Sequence, residues 1–328
     1  MPVLFDRVDT SASSDSSQSG TTTDISSASS DNYLKWMKTH IAANLKKLED
    51  RNNYDIKFIT SGGYYDSSFG KSLISVAKDR GDCTALIDHA WSTSAIKISD
   101  YLTSEDEKSK YAAMFTPWCI FKFPIWDATN TTPTISMPGS LAYLLAFAQS
   151  TVTNNNSNWL AAAGASRGTI PYLASPLVTL SEDDIKSYQA DTKVSINPIA
   201  NINPYGYIVW GNRTLNNNAS SGGLVASSFL NIRQLCNDIK KTLYKACKSI
   251  TFEQNSDLLW VKFKSLITPL LDQMQTSDGI SGYQITKKKS TKKATLTAVI
   301  RIYPIEAVED FDITLELADE STTVSDNL

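Results

Sequence analysis

Histidine is nearly missing from this 328-residue chain, which has only His40 and His89. Cysteine is scarce as well: Cys83, Cys119, Cys236 and Cys247, with no C-x-x-C pair among them. Two histidines and four scattered thiols make no zinc site by spacing. Cys236 and Cys247 fall on one predicted helix, about 16 Å apart at ~1.5 Å rise per residue, which is beyond the reach of a disulfide. All four thiols therefore read as buried and reduced. No apolar run approaches the ~20 residues that span a bilayer, and the N-terminus lacks the basic-then-apolar layout of a signal peptide. Neither the G-x-G-x-x-G nor the Walker spacing occurs. No sign of charge dominates either: 31 Lys and Arg face 34 Asp and Glu, a formal net charge of -3. The whole-chain field gives no reason to expect nucleic acid or an anionic membrane as partner. What remains is a soluble globular protein, made and assembled in a cytoplasm, with no metal or cofactor.

A length of 328 residues suggests about two domains. Residues 10–31 are almost entirely Ser, Thr, Asp, Gly and Gln, too polar to offset the entropy of ordering, and read as a flexible tether. The apolar patch Val3, Leu4 and Phe5 then sits at the end of a leash. It is either a sequence foreign to the natural chain or an arm that docks on a neighbouring molecule. Leu34, Met37, Ile41, Leu45 and Leu48 recur at helical spacing. Residues 55–60 and 83–88 read as buried strands separated by a helix containing Leu73, Ile74 and Ala77. Strand, helix, strand in about thirty residues is a βαβ unit, which implies a parallel sheet covered by helices. A long irregular stretch, 124–158, holds the helical run 141–148 and marks the expected boundary.

Beyond it the pattern changes. Phe229, Ile232, Leu235, Cys236, Ile239, Leu243 and Ala246 make one amphipathic stripe; Leu258, Leu259, Phe263, Leu266, Ile267, Leu270, Leu271 and Met274 make another. Residues 283–286 and 294–303 read as strands joined by the basic loop Lys287 to Lys293. Asp312 to Leu317 alternates strictly, with Ile313, Leu315 and Leu317 on one face, before a polar tail. The fold class expected is α/β with mixed α+β character. An arm (1–31) leads into a βαβ-containing domain (32–158), followed by a mixed helix and sheet domain (159–303) and a C-terminal arm (304–328).

Chemical constellations are thin. The Ser61-Gly62-Gly63 turn after a strand invites a phosphate-cradle reading with Asp88 as ribose ligand, but an ordinary βα turn carries the same residues. A Cys83–His89 dyad is conceivable, yet Cys83 opens an apolar strand, where inert thiols are common. The acidic clusters Glu105-Asp106-Glu107 and Glu182-Asp183-Asp184 follow Ser or Thr, and so read as helix N-termini. No catalytic residue is assigned. The low-charge run 196–215 (INPIANINPYGYIVWGNRTL) stands apart. It is rich in turn formers and aromatics, with Arg213 as its one charged side chain, and it reads as a structural knot.

Six elements, in order, resemble the contractile tail sheath proteins of phages and related injection machines. They are Ala163 to Ile170, with Gly164, Arg167 and Gly168; Ile196-Asn197-Pro198-Ile199; Gly206 to Leu215, with Trp210, Gly211, Arg213 and Thr214; Asn231-Ile232-Arg233-Gln234; Phe252-Glu253-Gln254-Asn255 with Leu259-Trp260; and Ile300 to Pro304. The resemblance covers about 159–318 and continues more faintly over 55–120. One departure is Gln234, where the family commonly has a second arginine, and it puts one inter-element contact in doubt. Outward domains common in the family are lacking, which implies a minimal sheath protein or a fragment of a longer one.

The resemblance implies a non-enzymatic structural subunit that self-assembles into a helical cylinder around a tail tube and contracts to drive that tube through the host envelope. Its arms, Val3 to Phe5 and Ile313, Leu315 and Leu317, would complete a sheet in neighbouring copies. Implied partners are other copies, the tail tube protein, and baseplate and tail-terminator proteins, with neither nucleic acid nor membrane. The implied location is a virion tail assembled in the host cytoplasm. The same chemistry also suits a bacterial secretion or bacteriocin machine, and a nucleotide-binding α/β enzyme is the reading from another class. On the helix from Phe229, Lys240, Lys241, Lys245 and Lys248 either face an acidic tube surface or form a solvated face.

Overall fold

The computed structural model describes residues 44–97, 109–123, 134–154, 157–190, 194–216, 226–288 and 295–305. By its internal contacts the chain divides into Met1–Asn44 and Leu45–Leu328; the second unit is described below.

The predicted βαβ unit forms. Strand β1 (Phe58–Thr60) runs parallel to β2 (Thr84–Ile87), and helix α1 (Ser67–Arg80) makes the crossover. Local chemistry sets both ends of α1. The Asp66 side chain caps its start by accepting from the Phe69 amide, and Gly81 ends it at φ +66°, a conformation that suits a residue without Cβ. Arg80, only 2% exposed, is held by Asp82 on two bonds of 2.9 and 3.2 Å. It also donates to the carbonyls of Leu48 and Tyr54. A buried guanidinium needs that degree of satisfaction, and it fastens the segment leading into β1.

The sheet continues through β3 (Ala112–Thr116), parallel to β2, then β7 (Asn197–Ile202), parallel to β3. The antiparallel β8 (Gly206–Val209) closes it, giving the order β1-β2-β3-β7-β8. Strands from both sides of the expected division at 158/159 therefore make up one sheet. A second, antiparallel sheet has the order β5-β4-β6, from β4 (Cys119–Lys122), β5 (Thr134–Met137) and β6 (Leu173–Pro176).

Helix α2 (Gly139–Thr153) runs through the stretch expected to be largely irregular, and it is nearly twice as long as the run 141–148 read from the sequence. Its buried face is Ala142, Tyr143, Ala146 and Phe147, half of it small residues, so hydrophobic periodicity understates it. Tyr143 stacks on Phe115 of β3 at 4.0 Å, and Phe147 meets Phe58 of β1 edge-on at 4.9 Å. Such ring pairs add about 0.5–1.5 kcal/mol beyond area burial. Leu86, Ala113, Phe115, Ile199 and Val209 complete this core. The short helix α3 (Gly164–Arg167) and helix α4 (Glu182–Ala190) follow α2. The acidic start of α4 is a helix N-terminus as expected: Ser181 Oγ accepts from the Asp184 amide, and the Asp184 carboxylate accepts from the Ser181 amide.

The two amphipathic stripes become α5 (Leu230–Ser249) and α6 (Asp257–Thr276), each 20 residues. Their apolar faces, through Leu235, Ile239, Phe263, Ile267 and Leu271, meet a hairpin of β9 (Ile280–Lys288) and β10 (Thr297–Pro304) in a second core.

Three expectations are corrected. The first strand is three residues long, not six; Asp55 and Lys57 precede it, and their side chains pair with Lys241 and Asp238 of α5. The described end of the first helical stripe is a 3-10 turn, Lys46–Glu49. Lys287 and Lys288 belong to β9 and not to a loop. The acidic cluster 105–107, the arm residues Val3, Leu4 and Phe5, and the strand with Ile313, Leu315 and Leu317 lie outside the described residues.

Candidate functional site

Two features concentrate the chemistry: a hydrogen-bonded knot at the centre, built from the motif residues, and the hairpin at one side.

Asn197 anchors the knot. Its side chain is fully buried; Nδ2 donates to the Met114 and Arg213 carbonyls (3.1 and 2.8 Å), and Oδ1 accepts from the Arg213 amide at 2.6 Å. One side chain thus bonds β3 to the segment leaving β8. Gly211 lies against it: a Cβ there would sit 2.8 Å from Asn197 Oδ1, too close for any other residue. Gly168 is pinned in the same way, with the Gly164 and Val209 carbonyl oxygens each 2.7 Å from where its Cβ would be. Arg167 Nε donates to the Ala161 carbonyl at 3.0 Å. Buried Thr214 donates to the Ser227 carbonyl at 3.1 Å. The Trp210 carbonyl accepts from Gln189 of α4, and the Arg213 guanidinium lies over the Phe229 ring. Arg233 donates to Asn237 Oδ1 at 2.7 and 2.9 Å, over Tyr111. Gln234, the departure from the family pattern, donates its amide to Thr84 Oγ1 of β2 at 2.9 Å, which Asn237 also reaches.

The motif at 252–260 behaves differently. Phe252 is 103% exposed and holds φ +73° in the turn between α5 and α6. Asn255 is exposed as well. Glu253 pairs with Lys262 at 3.1 Å, while Trp260 packs on Phe263.

The four candidate lysines of α5 all find partners inside the chain. Lys240 donates to the Gly81 carbonyl; Lys241 and Lys245 share Asp55 at 2.6 and 2.9 Å; Lys248 reaches Asn52 and lies over Tyr244. The two lysines hold the Asp55 carboxyl down to about 2. These contacts bridge some 160–200 residues of sequence, which no periodicity reveals.

The phosphate-cradle reading loses its cradle. The Gly63 amide donates to Asp88 Oδ2 at 2.8 Å, and the same carboxylate accepts from Ser61 Oγ and from the amide and hydroxyl of Ser140. Asp88 thereby caps the start of α2 from another element, where the helix dipole favours negative charge. Burial nonetheless pushes its carboxyl above the ordinary range, against those hydrogen bonds. The dyad fails as well. Cys83 and His89 flank β2 at opposite ends, about 20 Å apart at ~3.3 Å per residue. Burial raises the Cys83 thiol to about 11. His89 Nδ1 donates to the Ala90 carbonyl, so Nε2 accepts from Thr116, and burial favours this neutral form.

The hairpin is a two-stranded sheet, β10-β9, and among the described residues no third strand pairs with either outer edge. Tyr283, Ile285, Ala298, Ile300 and Ile302 face α5 and α6. Gln284, Thr286 and Lys288 of β9, with Arg301 and Tyr303 of β10, look outward. Lys287 reaches Asp257 at the start of α6 (2.8 Å).

The fold as a whole matches solved structures of contractile machines. The chain aligns with the sheath of an extracellular contractile injection system (PVC) in its contracted state at TM-score 0.63 and 17% identity, covering 83% of this chain and 74% of that one. It aligns with a chain of the anti-feeding prophage (AFP) baseplate at TM-score 0.61 and 15% identity, covering 83% and 72%.

This is the contractile-sheath fold.

In sequence, the chain is 26% identical over 153 residues to the tail sheath protein of Vibrio phage KVP40, a match spanning 46% of this chain and 21% of that relative. No family model matches. The sheath resemblance read from the motifs and the α/β class read from the strand, helix, strand pattern are borne out.

Proposed function

We propose that this chain is a structural subunit of a contractile sheath that self-associates by strand addition at the β9–β10 hairpin. The observation that carries the reading is that hairpin: one face is packed on two helices, while both edges lie open among the described residues. An open edge is a row of unpaired backbone groups, and proteins cover or blunt such rows unless pairing is their purpose. The alternating stretch Asp312 to Leu317 begins within ten residues of the end of β10. Together with Val3 to Phe5 it supplies candidate strands from neighbouring copies. Main-chain hydrogen bonds then give affinity, and alternate side chains give register.

In this proposal the cylinder encloses a tube and shortens by subunit rearrangement, without nucleotide and without catalysis. The partners are other copies, a tube protein, and baseplate and tail-terminator proteins, with neither nucleic acid nor membrane required. The place is a phage virion tail assembled in the host cytoplasm. The sequence relative is a phage protein and favours that particle, whereas the two structural relatives come from an extracellular contractile injection system and from the anti-feeding prophage baseplate. A tube-facing role for α5 rests on Lys240, Lys245 and Lys248, which are exposed at their partners, whereas Lys241 is half-buried against Asp55.

Negative-stain electron microscopy of the purified chain, beside variants lacking 1–31 or 306–328, tests the reading. Striated tubes or rings that vanish in the deletions support it. Monodisperse particles from the intact chain, with or without added tube protein, count against it.

A further inference from the structure

We infer that the outward charges of the hairpin, Arg301 and Lys288, select the acidic C-terminal segment of a second copy and fix its register on the outer edge of β10. This inference rests on the sheath reading. It adds which segment binds that edge and which side chains choose it.

The occupant is argued from charge and from spacing. Residues 306–328 contain eight acidic side chains and no basic one. With -3 for the whole chain against -8 for this segment, residues 1–305 carry +5. The hairpin holds much of that excess, since five lysines fall within 287–293 and Arg301 stands on β10. The N-terminal candidate, residues 1–9, carries Asp6, Arg7 and Asp9 and offers no such contrast.

The strand period does the rest. If Ile313, Leu315 and Leu317 continue the apolar face formed by Ala298, Ile300 and Ile302, then Asp312, Thr314 and Glu316 point outward. Asp312 and Glu316 are four residues apart. On β10, Arg301 and Thr297 are also four apart and share the outward face, and Thr297 is the cross-strand partner of Lys288. A carboxylate opposite Arg301 therefore brings the other opposite Thr297, whose short side chain lets Lys288 reach across. A slip of one residue would turn the leucines to solvent, and a slip of two would break both charge pairs.

Charge exchange tests this on the full chain. One variant carries Lys288→Glu and Arg301→Glu; the other carries Asp312→Lys and Glu316→Lys. Binding of a labelled peptide 306–328, followed by fluorescence anisotropy, weakens about tenfold or more for the first variant, since opposite-charge pairs become like-charge pairs. Equal binding by wild type and variant, or none at low salt, overturns the inference. In electron microscopy neither variant assembles alone, while an equimolar mixture does, because each tail then meets an edge of opposite charge. Assembly of each variant alone overturns the inference and leaves the sheath reading standing. Charge-dependent peptide binding without assembly of any chain does the reverse. Failure of the mixture, with wild type assembling, means that the segment returns onto its own hairpin, and this also overturns the second-copy assignment.

Discussion

Replacing Asn197 by Ala probes the knot at its most connected point. The side chain is fully buried and makes three hydrogen bonds to backbone groups, of Met114 in buried β3 and of half-buried Arg213. At about 1 kcal/mol net per bond, with more where a buried group is left unmade, the loss comes to about 2–4 kcal/mol. That is a large part of the ~5–15 kcal/mol that usually holds a protein folded. Relaxation cannot recover much, because the Gly211 backbone already lies against the Asn197 Cα and Cβ. In urea, followed by circular dichroism, the midpoint falls by about 1 M at a slope of ~3 kcal/mol/M. The Arg213 amide, whose acceptor is Asn197 Oδ1, exchanges its hydrogen faster. Asn197→Asp keeps that acceptor but offers no donor to the Met114 and Arg213 carbonyls and buries a charge, so it fares no better than Ala. A midpoint within ~0.2 M of wild type, with Arg213 exchange unchanged, refutes the argument.

Other perturbations have equally definite signs. Burial raises the Asp88 carboxyl, so its contribution is fully present below the ordinary value of 3.8 and is lost as pH rises through the folded value. The advantage of wild type over Asp88→Asn in urea titrations should therefore shrink upward from pH ~4, and an advantage that grows with pH is the wrong sign. Asp55 is depressed to about 2, so the stability it gives is present above pH ~4 and lost on acidification towards 2. Because the pair is solvent-exposed, Asp55→Asn costs at most about 1 kcal/mol at neutral pH, and less in high salt. Burial holds the thiols of Cys83 and Cys119 at about 11 and about 12; mass spectrometry after iodoacetamide at pH 8 should find both unmodified in the native chain and alkylated in urea. Phe252→Gly relieves a left-handed backbone at a side chain with no intramolecular packing to lose, so thermal unfolding should show it about 1 kcal/mol more stable than Phe252→Ala.

The parts of the fold legible in the sequence were those whose determinants are local. The βαβ unit announced itself through two apolar runs and the helix between them, and the hairpin through the apolar and alternating runs at 283–286 and 294–303. Helix α2 was half missed because Ala142 and Ala146 bury little area per residue, although they let the helix lie close to β3. The partners of the α5 lysines were hidden for a different reason: Asp55 and Asn52 meet them only after the chain has returned across nearly 200 residues. Asp88 was noticed for its place after a strand, and its ligands prove to be the chain's own Gly63 and Ser140 donors. The motif glycines were visible as letters. Why position 211 admits no Cβ depends on Asn197, fourteen residues earlier, and only the packed structure shows that.

The knot and the hairpin divide two requirements that conflict within one element. An assembly of the proposed kind needs bodies that do not deform, and at 197–214 the backbone is bonded within the chain, by the β7–β8 ladder and by the Asn197 side chain. It also needs a joint that holds while its surroundings move, and an open strand edge suits that, because a short ladder can pivot about its own axis without losing its bonds. Main-chain bonding is blind to sequence, however, and an edge that accepts any strand would accept the wrong one. In the strand-addition proposal, register comes from side chains: the apolar alternation of 313–317, and two carboxylates four residues apart matched to Arg301 and Lys288. Screening makes the second element adjustable. Raising salt from 0.1 M to 1 M shortens the Debye length from about 10 to 3 Å, so charge selection should fade while strand addition persists, and errors of register should appear before loss of assembly.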